Sequence, residues 1–271
     1  MMTVQQFLEQ TTQTFAQAGI ETPRLDSLVL LEDAIGQDRA HLLAHPEMAL
    51  TEQQAAELHT KVMRRSEHEP LAYIRGKALF YGRSFLVNPH VLVPRPETET
   101  TIALLKLLPL PPRPVIADIG TGSGCLGITA GLELPNATIY LYDIDPEALR
   151  VASHNARTYH IRAHCMVNDL LRGLNEQYDV LLANLPYVPN ELPINRAATF
   201  EPQKALFAGP DGLNYYNHFW LQLTHLESQP WFILTESMPI QHEANVDMAR
   251  QAGYVLVKTQ DFIQVFAHAN R

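Results

Sequence analysis

Between Val115 and Gly124 a short apolar strand, Val115-Ile116-Ala117, runs into Asp118-Ile119-Gly120-Thr121-Gly122-Ser123-Gly124. A strand that ends in a glycine loop and opens a helix is a βα unit, and it strongly limits what such a chain can fold into. Glycines there let backbone approach a ligand, and the loop N–H groups point into the crevice at the strand's carboxyl end. Further apolar strands are expected at 139–142, 179–183 and 231–234, and 254–257 with 262–266 reads as a terminal hairpin. Strands alternating with helices predict an α/β domain with a mostly parallel sheet covered on both faces.

The chain before this unit has a different character. Thr3 with Gln6 and Thr51 with Gln54 make capping-box signals, each heading an apolar helical stripe. Pro23 opens another helix that ends at Gly36. Residues 1–70 therefore read as a small helical domain. From 71 to 94, Gly76 and Gly82 separate extended-looking stretches carrying Phe80, Phe85, Val87, Val91 and Val93, which predicts a linking β-hairpin. Pro94-Arg95-Pro96-Glu97-Thr98-Glu99 then starts a helix, with acidic residues where the dipole favours them, and 95–271 forms the α/β domain.

Composition narrows the function. Across 271 residues, 29 Asp and Glu against 20 Lys and Arg give a net charge of −9, so the chain lacks the basic footprint of a duplex-binding protein. No apolar run is long enough for a membrane span. Cys125 and Cys165 are too few for a disulfide framework or a zinc site, and the His residues show no metal-ligand spacing, so no metal is expected. The first residues, Met1-Met2-Thr3-Val4-Gln5-Gln6, carry no basic or apolar leader signal, which predicts a cytoplasmic protein.

Two constellations carry chemistry. Asp143 ends the strand after the glycine loop, 21 residues beyond Gly122, where a carboxylate can accept both hydroxyls of a ribose. Gly122 to Gly127 also satisfies the dinucleotide pattern G-x-G-x-x-G, whereas Asp118 suits a ligand with an ammonium and a sulfonium, as in S-adenosylmethionine. The loop alone leaves methyl transfer and hydride transfer as competitors. Asn184-Leu185-Pro186-Tyr187, at the end of strand 179–183, favours methyl transfer. An amide or exocyclic amino nitrogen is a poor nucleophile because its lone pair is delocalised. Two acceptors, the Asn184 side-chain oxygen and the Pro186 carbonyl, can hold its N–H bonds and stabilise the charge that develops on attack. Tyr187 offers a flat surface for the planar acceptor group, and no strong base is needed because the proton can leave after the methyl arrives.

Tyr73-Ile74-Arg75-Gly76, Phe80-Tyr81-Gly82, Val91 to Glu99, Asp118 to Gly124, Asn184 to Tyr187, Glu201-Pro202 and Gly209 to Leu213 together resemble the release-factor glutamine N5-methyltransferases. The resemblance implies a class I, Rossmann-like methyltransferase domain with a seven-stranded sheet behind a helical substrate-recognition domain. It implies transfer of a methyl group from S-adenosylmethionine to the glutamine of the Gly-Gly-Gln motif in class I peptide chain release factors, leaving S-adenosylhomocysteine. By position, Asp118, Gly120, Thr121, Gly122, Ser123 and Gly124 would line the cofactor, Asp143 its ribose, and Asp169-Leu170 its adenine. Asn184 would face both cofactor and substrate, and Asn184, Leu185, Pro186 and Tyr187 would hold the target glutamine, with Asn184, Pro186 and Tyr187 acting in catalysis. Leu185 replaces the first Pro of the family's Asn-Pro-Pro-Tyr, and Asp261-Phe262-Ile263-Gln264 lacks the expected Gly and Arg. The alternative with the same acceptor geometry is an adenine N6-methyltransferase acting on RNA or DNA, which the acidic charge disfavours.

Overall fold

The structure is a computed structural model that describes residues 1–270. Two compact units separate along the chain: residues 1–76 with 195–200, and residues 77–194 with the chain from 201 onward.

The first unit is helical: α1 (Val4–Gln17), α2 (Pro23–Ile35), α3 (Arg39–Ala44), α4 (Glu52–Ser66) and α5 (Leu71–Arg75). Helix starts follow local chemistry. The Thr3 hydroxyl accepts from Gln6 N–H at 3.2 Å while the Gln6 side chain accepts from Thr3 N–H at 3.0 Å, so two otherwise unpaired groups satisfy one another. Thr51 and Gln54 repeat the arrangement at the head of α4. Helix α2 has Pro23 in its first turn and ends on Gly36 at φ +73°, a left-handed cap that glycine adopts without strain. Phe7, Phe15, Leu30, Leu31, Leu42 and Leu58 meet in one core. The buried Asp26 is paired with Arg65 of α4 at 2.7 Å, so its charge is compensated. Among the described residues, no helix is long and apolar enough to cross a membrane.

Within 71–94, only part of the stretch is the expected hairpin. Leu71–Arg75 is a helical turn closed by Gly76 at φ +70°. The hairpin is β1 (Lys77–Phe80) and β2 (Arg83–Leu86), turning at Tyr81 and Gly82 with φ of +50° and +72°. Positive φ at both central residues matches the twist of a two-residue hairpin. The chain then runs irregularly through Val91 and Val93, whose alternation does not become a strand.

The second unit continues with a short 3-10 turn at Pro96–Thr98 and α6 (Glu99–Leu105), followed by β3 (Val115–Ile119), α7 (Cys125–Glu133), β4 (Thr138–Asp143), α8 (Pro146–Thr158), β5 (Ala163–Val167) and β6 (Val180–Ala183). It closes with α9 (Asn214–Leu223), β7 (Phe232–Glu236), α10 (His242–Gln251), β8 (Tyr254–Gln260) and β9 (Ile263–His268). Seven strands form one sheet in the order β5-β4-β3-β6-β7-β9-β8. Strands β3 to β7 run parallel, and β9 enters antiparallel between β7 and β8. Apolar layers cover both faces, one built on Ile116, Leu141, Leu182 and Leu234, the other on Ile119, Leu181, Phe219 and Trp220. This explains why β3 and β6 read as continuous apolar runs rather than alternating ones. After β3 the chain builds outward through β4 and β5, then returns to add β6 on β3's other side. The switch point between β3 and β6 is where such sheets open a crevice.

Candidate active site

Ile119 pairs with Ala183, so the loops that follow β3 and β6 leave the sheet side by side. A cleft of about 1240 Å³, its open mouth included, lies above them. Gly120, Thr121, Gly122, Ser123, Asp118, Asp143, Asp169, Leu170, Asn184, Leu185 and Pro186 all line it. Two expected site residues, Gly124 and Tyr187, are not among those that line it.

The glycine loop is shaped by backbone demands. Gly120 sits at φ +72°, a left-handed state glycine adopts without strain, and a Cβ there would come 3.1 Å from Leu185 Cδ2, so the buried Leu185 packs closely against it. Gly122, at φ +54°, would meet no protein atom, which leaves its face open to the cleft. Thr121 N–H donates to the Tyr142 carbonyl at 2.8 Å and Gly122 N–H to Asp143 Oδ2 at 2.9 Å, so β4 braces the loop. Gly124 serves packing instead: a Cβ would lie 2.8 Å from Ile128 Cδ1 and 3.1 Å from Ala152 Cβ.

Two carboxylates set the electrostatics. Asp118 is buried, and its Oδ2 accepts from the Thr121 hydroxyl at 2.6 Å and from Gly127 N–H at 2.9 Å. Burial pushes its pKa up to about 6; the two donors oppose the rise and the Asp143 charge adds to it. The forces acting on it include no cationic side chain, so a cation in the cleft would supply the missing compensation. Asp143 is likewise pushed upward by burial, opposed by the N–H groups of Asp145 and Gly122. Those donors occupy one lone pair on each oxygen, leaving the others for hydroxyl groups. An open glycine face, a rim carboxylate and an uncompensated buried carboxylate fit S-adenosylmethionine, whose ribose is neutral and whose amino-acid end carries the cations.

At the far end, Leu170 holds φ +53°, an uncommon backbone state for a branched residue. The Asn168 side chain donates to the Leu170 carbonyl at 2.9 Å and the Gln222 side chain accepts from Leu171 N–H at 2.8 Å, so the turn is held from both sides. Leu170 thus presents an apolar wall to the cleft, and Ile144, exposed beside Asp143, adds another.

The tetrapeptide after β6 is tied into a polar group behind it. Asn184 Nδ2 donates to the Thr98 hydroxyl at 3.1 Å, and the Tyr187 hydroxyl donates to Glu236 Oε1 at 3.0 Å. The Tyr187 carbonyl accepts from Gln241 Nε2 at 2.8 Å, and Gly212 backs against it so closely that a Cβ would lie 2.2 Å away. The Tyr216 hydroxyl joins the Ala183 and Glu236 carbonyls at 2.8 and 2.6 Å, locking the carboxyl ends of β6 and β7. Glu236 is buried, and burial pushes its carboxyl upward; the Thr98 and Tyr187 hydroxyls oppose the rise. Across the cleft, Arg95 pairs with Glu201 at 2.6 Å while Glu201 also accepts from Val93 N–H, which pins the irregular segment that forms one wall. The sequence alone assigns no role to Thr98, Asn168 or Glu236. The one legible signal for Glu236 is an acidic residue ending an otherwise apolar strand, the pattern that singled out Asp143.

Residues 6–76 match the family described as PrmC N-terminal domain, and residues 97–199 match the methyltransferase small domain. Among solved structures, a methyltransferase from Pyrococcus furiosus aligns with TM-score 0.50 at 14% identity over 80% of this chain and 97% of its own. The hMettl16 catalytic domain, in complex with MAT2A 3'UTR hairpin 6, aligns with TM-score 0.54 at 15% identity over 83% of this chain and 84% of its own. At such identities these likenesses concern the fold. With the family matches they define the class: a Rossmann-like methyltransferase. The release factor glutamine methyltransferase of Koribacter versatilis is 37% identical over 86% of this chain and 86% of its own length. That of Moorella thermoacetica is 36% identical over 93% of this chain and 91% of its own. The chain belongs to the release factor glutamine methyltransferase family.

Proposed function

We propose that this protein methylates the side-chain amide nitrogen of the glutamine in the Gly-Gly-Gln motif of class I peptide chain release factors. The observation that carries the reading is the placement of Asn184 and Pro186 on the wall of one cleft with the glycine loop and Asp143. When bound, S-adenosylmethionine supplies an electrophilic methyl group carried on a sulfonium. Asp143 takes the ribose hydroxyls, Leu170 covers the adenine, and Asp118 compensates the charge of the amino-acid end. Asn184 Oδ1 and the Pro186 carbonyl accept the two N–H bonds of the target amide and aim its lone pair along the cleft. As positive charge grows on that nitrogen, both acceptors bind it more tightly, so they favour the transition state over the ground state. The amide becomes a strong acid once alkylated, so its proton leaves to water without a side-chain base. Leu185, buried under Gly120, fills the place of the family's first proline and keeps the loop in register from the apolar side.

The helical unit selects the partner. A glutamine side chain offers too few atoms to distinguish one glutamine from hundreds, so binding energy must come from a surface remote from the cleft. The test supplies labelled S-adenosylmethionine to the protein with release factor and with RNA in parallel. Label in the release factor alone is the expected result; label in RNA alone would assign the cleft to adenine instead.

A further inference from the structure

Asn184 can act as an acceptor only if its amide is turned the right way. The Oδ1 and Nδ2 ends have nearly the same shape, so the group can flip at little steric cost, and a flipped amide would present donors to the N–H groups it must accept. Something must fix the orientation, and two buried side chains meet the need. Thr98 is 4% exposed and Glu236 is 2% exposed; Thr98 borders the cleft beside Asn184, whereas Glu236 is not among the residues that line it. Glu236 Oε1 accepts from the Tyr187 hydroxyl, whereas Oε2 is buried with no hydrogen-bond partner.

We propose that Glu236 and Thr98 are positioning residues that determine which end of the Asn184 amide faces the cleft, an inference resting on the acceptor role given to Asn184 above. A carboxylate only accepts, so a hydroxyl beside it turns its hydrogen toward the carboxylate. Thr98 then offers Asn184 nothing but lone pairs. The Asn184 end that meets it at 3.1 Å must be the Nδ2 donor, and Oδ1 is left for the substrate. Oε2, buried without a hydrogen-bond partner, is left free to attract that hydrogen. Of the groups that favour the charged form of Glu236, the Thr98 hydroxyl stands first, ahead of the Tyr187 hydroxyl and the Asn184 amide. The same carboxylate fixes Tyr187 through Oε1, so both ends of the tetrapeptide take their orientation from one charge.

The experiment uses the full-length protein with Thr98→Val, Thr98→Ser, Glu236→Gln, Asn184→Ala and the double variant Thr98→Val/Asn184→Ala. Thr98→Val keeps the shape and removes the lone pairs; kcat on release factor should fall about tenfold, the scale of one lost orienting hydrogen bond. Affinity for S-adenosylmethionine should stay within about twofold, and Thr98→Ser should restore the rate. Glu236→Gln places a donor where the carboxylate only accepts and should lower kcat similarly. In the Asn184→Ala background, Thr98→Val should cost nothing more, because the group it orients is gone. Multiplying effects in the double variant, or equal loss in the Val and Ser variants, would overturn the proposal. A second readout needs no turnover: nitrogen-15 spectra, with the resonance identified by its loss in Asn184→Ala. The Asn184 amide protons should exchange slowly with water in the wild type and Thr98→Ser, and rapidly in Thr98→Val. Unchanged protection in Thr98→Val would contradict the orientation even if release factor proved not to be the substrate, so the two claims fail separately.

Discussion

Asp118 carries the sharpest conflict between folding and function at a single residue. Its ordinary pKa of 3.8 rises to about 6 in the fold, chiefly by burial. Between these values the folded state holds a proton that the unfolded chain has lost, so this group's contribution to stability falls as pH rises from about 4 to 6. The difference is on the order of 3 kcal/mol when fully developed. Asp118→Asn keeps an acceptor oxygen for the Thr121 hydroxyl and Gly127 N–H but removes the buried charge. Thermal unfolding without ligand should give a variant at least as stable as wild type at pH 7, with a flatter pH dependence between 4 and 6. Calorimetry should show weaker binding of S-adenosylmethionine. A variant destabilised at pH 7 would mean that the charge itself holds the loop. Asp143→Ala should also weaken that binding, by roughly 1.5–3 kcal/mol, the scale of hydrogen bonds to a charged acceptor. Both carboxylates were legible in the sequence because each stands beside the glycine loop or at a strand end. Thr98 and Glu236 were not, because their roles depend on contacts 86 positions apart for Asn184 with Thr98 and 49 for Tyr187 with Glu236.

At the level of elements, the approach of α7 to the sheet decides whether the glycine loop can form. A Cβ on Gly127 would lie 2.4 Å from Leu141 Cδ2 and 2.8 Å from Asp118 Cβ. The second atom is attached directly to β3 backbone and cannot rotate away, so Gly127→Ala must push α7 outward. A loss of about 1–3 kcal/mol is expected, the usual cost of overpacking, read as a lower urea midpoint with unchanged m. A shift of a few tenths would show that α7 has slack. Local signals made the neighbouring elements readable. In each capping box, at the heads of α1 and α4, the two partners stand three residues apart, and the interior strands are buried on both faces. Strand β5 escaped notice because Ala163–Val167 is an edge strand, largely half-buried or exposed, with no apolar alternation; its pairing with β4 defines it. The irregular run through Val91 and Val93 misled for the opposite reason: apolar residues recur there, but among the described residues the run joins no strand of either sheet.

At the scale of the whole molecule, the proposed function assigns choice of partner to the helical unit and chemistry to the cleft. Binding energy won away from the cleft should be spent on orientation at the reacting amide, so a short Gly-Gly-Gln peptide should be a poor substrate. Its kcat/KM should lie about 100-fold or more below that of intact release factor, a gap of roughly 3 kcal/mol or more in remote contacts. Equal efficiency on both would assign recognition to the cleft alone and leave the helical unit without that role. The helical–then–α/β layout could be read from periodicity and the glycine loop, whereas the assignment of Leu71–Arg75 to the helical unit depends on packing that no local pattern records. The most direct measurement maps the methyl group by fragment mass spectrometry on release factor treated with wild type and Asn184→Ala at saturating S-adenosylmethionine. The wild type should place one methyl on the side-chain nitrogen of the Gly-Gly-Gln glutamine. Asn184→Ala should bind the cofactor almost normally yet transfer about 10²-fold more slowly. A methyl found on any other residue, or an Asn184→Ala protein that loses cofactor binding but keeps its rate, would contradict the account.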